Sequence, residues 1–434
     1  MRPSDPLTST FPLVMGFSAT TGMAQRISPQ RIKRIHRGHR ELLLGWPSYQ
    51  AVAFVALLFH ATMQAAANAL DYSRKRRKHK RRRMTMTEVM RVALGQHSAA
   101  THDYLTFAKQ LGVGGVQFNM IGKHIGLIPE DLDLPEDKGY WDAAELIELK
   151  QRVNDYDLRL EAIENVPRSF YIDAMLNGPR RDEQIASYQR TVRSLGEAGI
   201  PVLGINWMPN LVWRTPMQAG RGGVIVTAFD MERVLAGEVV AGITDVAEAE
   251  DRQYSEAEIF DNYVYFMERV IPVAEQAGVK IALHPDDPPV ESLGGIARVF
   301  YKPDNFKRAL EAVPSPSHGL DFCMGCFSEM VYADRSNNDG VLDAMRYFGE
   351  RGKIFYVHFR DVQGCVPKFQ ECFPGEGNVN VVQAVKTLKE VGFTGFIIDD
   401  HVPEMLDDSD WNHRGHAYST GYIMALVEAV NQLV

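Results

Sequence analysis

Cysteine is scarce in this 434-residue chain: Cys323, Cys326, Cys365 and Cys372 are the four. So few, at such irregular spacing, exclude a disulfide framework and point to a reducing compartment, which is read as cytoplasmic. Cys323-Met-Gly-Cys326 matches C-x-x-C, but no second pair and no suitably spaced histidine pair follows it. A closed zinc site is therefore not expected; Cys323 is read as acting alone and Cys326 as packing. Basic charge is also lacking beyond residue 85. Of 47 Lys/Arg and 55 Asp/Glu, residues 1–85 take 16 and 3, which leaves 31 against 52 and about -21 for the rest. Such an acidic body repels phosphate backbones and excludes a nucleic-acid partner.

Charge is missing altogether from residues 42–70, a stretch long enough to span a bilayer. Pro47, Gln50, His60, Gln64 and Asn68 interrupt it, and basic residues flank both sides, including the run Arg74–Arg83. Charge asymmetry then assigns no orientation. The readings are a membrane anchor, a basic targeting tail, or an appendage ahead of a true start at Met84 or Met86. The expectation is an extension over 1–85, disordered or outside the fold, with no membrane partner and the catalytic domain over 86–434.

From residue 90, short apolar runs alternate with stretches of helical period, the pattern of βα units. Eight strands are expected: 91–94, 113–118, 158–163, 202–206, 280–284, 319–323, 354–358 and 396–400. Helices are expected over 101–110, 142–153, 182–198, 257–277, 303–312, 340–348, 381–391 and 416–433. The fold class is α/β, a (β/α)8 barrel with enlarged βα loops. The excursion from Met208 to about Ser255 is a βα insertion, read as a lid or an oligomer contact.

Four strands end on a metal-ligand residue: His284 before Pro-Asp-Asp-Pro-Pro, Cys323, His358, and Asp400 before His401. Barrels of this class carry chemistry at the C-terminal ends of their strands. Nitrogen, thiolate and carboxylate together suit a borderline divalent transition metal better than calcium or magnesium. Glu164 and Asn206 close strands three and four. Arg214 and Arg360 are suited to fork a substrate carboxylate, or else to pair with a protein Asp or Glu. Asp286 and Asp287 either orient the ligands from behind or cap the next helix. His401 stands where acid–base work is done, although Asp399 or His401 rather than Asp400 is the inward residue if the strand register differs.

At these residues the chain resembles the mannonate dehydratase family. The matching pieces are Ile163-Glu-Asn-Val-Pro167, Asn206-Trp-Met-Pro209, Trp213-Arg-Thr215, His284-Pro-Asp-Asp-Pro-Pro289, the Cys323 strand, His358-Phe-Arg-Asp361 and Asp400-His401. The resemblance implies a xylose-isomerase-like barrel that dehydrates D-mannonate, a small sugar acid, to 2-keto-3-deoxy-D-gluconate by β-elimination. It implies Mn2+ or Fe2+ on His284, Cys323, His358 and Asp400, with Glu164, Asn206, Arg214 and Arg360 on the substrate. His401 would be the acid–base group with a later tyrosine as its partner. Many members have Arg-Pro before the Asp-His pair, where this chain has Ile398-Asp399, and their later Gly-Tyr-Gly is absent. Tyr418 is the candidate for that role, or else a packed residue of the last helix. A homo-oligomer is expected. A metal-dependent isomerase or epimerase, or a barrel that keeps metal without catalysis, are the other readings.

Overall fold

The structure, a computed structural model, describes residues 90–119, 138–249 and 252–433. The expected extension over 1–85, with its apolar and basic runs, lies outside the described residues. Among the described residues no helix is long and apolar enough to cross a membrane.

One parallel sheet organises the chain. Its strands are β1 (Arg91–Val92), β2 (Leu94–His97), β3 (Gly115–Asn119), β4 (Arg159–Glu164), β5 (Val202–Ile205), β8 (Lys280–Leu283), β11 (His318–Cys323), β12 (Ile354–His358) and β15 (Phe396–Ile398). The order is β1-β15-β12-β11-β8-β5-β4-β3-β2. Only Ala93 parts β1 from β2, so the sheet's two ends are one interrupted strand. Val92 pairs with Ile397 of the last strand and Leu94 with Val116 of the next. The ring thus closes with eight strands, as the sequence pattern requires, and the first expected strand is the one that serves both neighbours.

Each expected helix is present within a few residues of its expected bounds; the longest, Glu256–Ala277, shows why. Ser255 accepts from the Glu258 backbone while the Glu258 side chain returns to Ser255, and Gly278 stops the helix at φ 68. That is a capping box at one end and a left-handed glycine at the other. All six residues of β11 are buried, as expected of a parallel strand covered on both faces. Ala93, Ala162, Val202, Ala282, Phe355, Tyr356, Phe396 and Ile398 form one buried cluster in the barrel.

The excursion after β5 folds as a hairpin, β6 (Thr215–Ala219) and β7 (Ile225–Asp230). A second hairpin, β13 (Val362–Cys365) and β14 (Lys368–Glu371), follows β12 and joins it in a four-stranded antiparallel sheet, order β13-β14-β7-β6. Trp213, Phe229, Leu293, Val362 and Phe369 pack as its core, Leu293 coming from a short antiparallel pair after β8, β9 (Ser292–Leu293) and β10 (Ile296–Ala297). The sequence offers little sign of this second hairpin, because Val-Gln-Gly-Cys and Lys-Phe-Gln-Glu lack a clear apolar alternation.

Candidate active site

β8, β11, β12 and β15 deliver the four expected ligands to one place. Cys323, His358 and Asp400 hold ligand atoms within 4.8 Å of one another, and His284 is equally close to Cys323 and to His358. All four residues are buried. The local bonds select the ligand nitrogens. His284 Nδ1 lies 2.7 Å from the Pro285 carbonyl, to which only an N–H can bond, so Nε2 is the nitrogen turned to the cluster. In His358 the choice is reversed. Its Nε2 donates to Glu164 Oε2 at 2.9 Å, while the buried Nδ1 makes no hydrogen bond and lies 3.5 Å from Asp400 Oδ2.

Asp321 Oδ2 sits 3.0 Å from the same His358 Nε2. That nitrogen carries one proton, so it serves one carboxylate at a time. Burial raises Asp321 well above the carboxylate range, more than His358 lowers it, whereas Glu164 is hydrogen-bonded by Gln117 Nε2 at 2.6 Å. Asp321 was not foreseen. Its only sequence signal is the spacing of two from Cys323, which puts both on one strand face.

The donor set fits a cation. Burial alone would raise the Cys323 thiol, but Cys326, Arg360 and His284 outweigh it and hold the thiol well below its ordinary value. Burial likewise opposes charge on His284, yet the Cys323 thiolate lifts it to about 10. Asp400 stays well below the carboxylate range against its burial, held by His401, His358 and Arg360. An orphaned ring nitrogen beside a thiolate and a carboxylate is a metal-binding arrangement, since metal replaces the protons on such ligands.

A second buried group, Asp287, Cys326 and Glu329, also has ligand atoms within 4.8 Å of one another. Here the positive charge is already supplied. Arg360 reaches Asp287 Oδ2 at 2.8 Å, Glu329 Oε1 at 2.8 Å and Cys326 Sγ at 3.0 Å, and its Nε lies 2.9 Å from Asp400 Oδ2. Cys326 is therefore buried, as read from the sequence, but it is a polar contact of Arg360 as well as packing.

Arg214 forks Asp287, with Nη1 to Oδ1 at 2.5 Å and Nη2 to Oδ2 at 2.7 Å. Both expected carboxylate-binding arginines thus meet protein carboxylates, the second of the two roles open to them. Asp287 orients them from behind the site. Asp286 instead accepts from Arg298 Nη1 at 3.4 Å and from the Phe300 backbone, so it ties down the following loop. Glu164 stands behind His358, and Asn206 donates its backbone N–H to Asn165 Oδ1 while its Oδ1 accepts from the Tyr171 hydroxyl. His401 lies beside Asp400, with Nε2 3.6 Å from Oδ1, and β14 brings Glu371 against its Nδ1 at 3.2 Å. Tyr418 is placed elsewhere: it is partly exposed, packs edge-on to Phe373 at 4.7 Å and lies under the Arg221 guanidinium. The helix turn that carries it faces the β6–β7 hairpin tip.

A (β/α)8 barrel with a buried, cation-ready cluster at the C-terminal ends of its strands defines the class. Within that class, a family model described as D-mannonate dehydratase matches residues 110–434. The mannonate dehydratase of Thermotoga maritima is 30% identical over 362 residues, 76% of this chain and 96% of that protein. Mannonate dehydratase 2 of Halalkalibacterium halodurans is 31% identical over 282 residues, 61% of this chain and 79% of its own. The crystal structure of the Streptococcus suis serotype 2 mannonate dehydratase superposes with a TM-score of 0.68 at 26% identity, covering 80% of this chain and 94% of that one. The chain belongs to the D-mannonate dehydratase family, and so to the hydro-lyases.

Proposed function

We propose that residues 86–434 are the catalytic domain of a cytoplasmic enzyme that dehydrates D-mannonate, or a close sugar acid, to 2-keto-3-deoxy-D-gluconate. The observation that carries this is the buried, unpartnered His358 Nδ1 facing Cys323 and Asp400, with His401 next in the chain. His284, Cys323, His358 and Asp400 would hold Mn2+ or Fe2+, which supplies stabilisation of the negative charge that develops on substrate oxygens. His401 exchanges the proton in the β-elimination, in which the C2 proton and the C3 hydroxyl leave as water. Arg214 and Arg360, already neutralised by Asp287 and Glu371, give the mouth a fixed polar wall rather than two free cations. Four unpaired cysteines support the reducing compartment. Isomerisation or epimerisation on the same barrel has no observation in its favour here.

The test is to strip the protein of metal, reload it with Mn2+, and incubate it with D-mannonate. Metal-dependent appearance of a 2-keto-3-deoxy acid is expected. Bound metal without that product would overturn the substrate assignment.

A further inference from the structure

Glu371 has no place in the chemistry described so far, yet it is almost fully buried and lies on β14, in the accessory sheet rather than the barrel. Its Oε1 gathers three partners: Arg360 Nη1, Arg214 Nη2 at 3.4 Å and His401 Nδ1 at 3.2 Å. His401 itself has φ 45. A non-glycine residue is uncommon in the left-handed region, and such strain persists where the surroundings fix the direction of the side chain.

Two groups compete for His401 Nδ1. Arg214 Nη2 is 3.1 Å from it and can only donate, which requires a bare nitrogen. Glu371 can only accept, which requires a protonated one. The opposite edge of the ring, Nε2, is the one near Asp400. The contest therefore decides which nitrogen is bare on the metal side. Arg214 has other acceptors: its Nη2 already bonds Asp287 Oδ2 at 2.7 Å and has Glu371 Oε1 within 3.4 Å. An imidazole N–H on Nδ1 meets Glu371 Oε1 at 3.2 Å, whereas one on Nε2 would face Asp400 Oδ1 only at 3.6 Å, too long for a hydrogen bond.

The geometry points to Glu371 as a positioning residue: it accepts from His401 Nδ1–H and so leaves Nε2 bare, facing the substrate side, as the proton-exchanging atom. This rests on the acid–base role proposed for His401. It also gives the accessory sheet a task, since pairing of β14 with β7 (Phe369 opposite Phe229, Gln370 opposite Ala228) holds Glu371 in place.

The experiment reads the tautomer directly. The full chain, labelled with [15N]histidine and loaded with diamagnetic Zn2+, is examined by long-range 1H–15N correlation, with His401→Asn to assign the ring. A protonated Nδ1 and bare Nε2 are expected in the wild type. In Glu371→Leu, which has no acceptor to offer, that tautomer is lost, and kcat with D-mannonate falls roughly ten- to a hundred-fold, with KM and metal content unchanged. A wild-type ring protonated on Nε2 would mean that Arg214 wins, and would overturn the proposal whether or not the variant folds. So would a Glu371→Leu protein whose lower kcat comes with metal loss and raised KM but an unchanged tautomer. Absence of any turnover of D-mannonate would bear on the substrate assignment instead, because the spectrum needs no substrate.

Discussion

Glu164 and His358 stand 194 residues apart in sequence and meet at 2.9 Å inside the barrel, β4 to β12. Because Nε2 is committed to this bond, only Nδ1 is left for a metal. A carboxylate behind a ligating histidine fixes the ring and raises its basicity. Glu164→Ala is expected to weaken metal binding by about 10- to 100-fold while leaving the fold intact, read by titration of the metal-free protein with Mn2+. An unchanged metal affinity would remove Glu164 from this role.

The two cysteines of Cys323-Met-Gly-Cys326 are expected to behave differently. Cys323→Ala should lose bound metal, since the thiolate is stabilised in the cluster; Cys326→Ala should keep it, since Arg360 occupies that side. Metal content per chain after dialysis checks both, with circular dichroism to exclude unfolding. Equal loss in the two variants would mean that Cys326 is a ligand.

Asp287 neutralises two buried guanidiniums at once. Asp287→Asn leaves Arg214 and Arg360 short of a counter-charge in the interior. Breaking a buried pair in this one-sided way typically costs about 3–5 kcal/mol. Denaturant unfolding should show a loss of that order, and a loss below 1 kcal/mol would mean that Glu371 and Glu329 suffice for both arginines.

Acid stability is expected to depend on His318, far from the ligand cluster in role. Burial depresses it to about 4, although the Val313 carbonyl works the other way; its Nε2 meets Tyr263 Oη at 2.7 Å and its Nδ1 the Val313 oxygen at 2.9 Å. With the unfolded value near 6.5, the unfolded chain binds the extra proton between pH 6.5 and 4. Stability contributed by the neutral ring is therefore complete above 6.5 and lost as pH falls towards 4, by about 3 kcal/mol in all. The slope of unfolding free energy against pH over that window should flatten in His318→Gln; an identical slope would exclude this histidine as the source.

The barrel was legible because parallel strands and their helices are local patterns. Buried runs such as His318–Cys323 and stops such as Gly278 are visible without any partner. The four strand-end ligands were legible for the same reason: each closes its own strand. What surrounds them was not. Glu371, Asp321 and Glu329 are ordinary acidic residues in sequence, and only pairing between β14 and β7, pairing between β11 and β12, and the short helix Met324–Glu329 after β11 bring them to His401, His358 and Arg360. For that reason the sequence leaves Arg214 and Arg360 open between a substrate carboxylate and a protein one. Tyr418 was singled out by residue type and position after Asp400-His401, and a helix face, which depends on the packing of α-helix His413–Leu433, set it against Phe373.

The gap at Ala93 has a consequence for how the molecule is made. The strand that opens the barrel finds its second neighbour only in β15, some 300 residues later, through Arg91 with Phe396 and Val92 with Ile397. Until that late segment arrives, β1 and β12 present bare backbone edges, and such edges recruit other chains. The same segment leads directly into Asp400 and His401. A chain stopped short of residue 396 would thus be both sticky and inert, and assembly of the site coincides with closure of the ring.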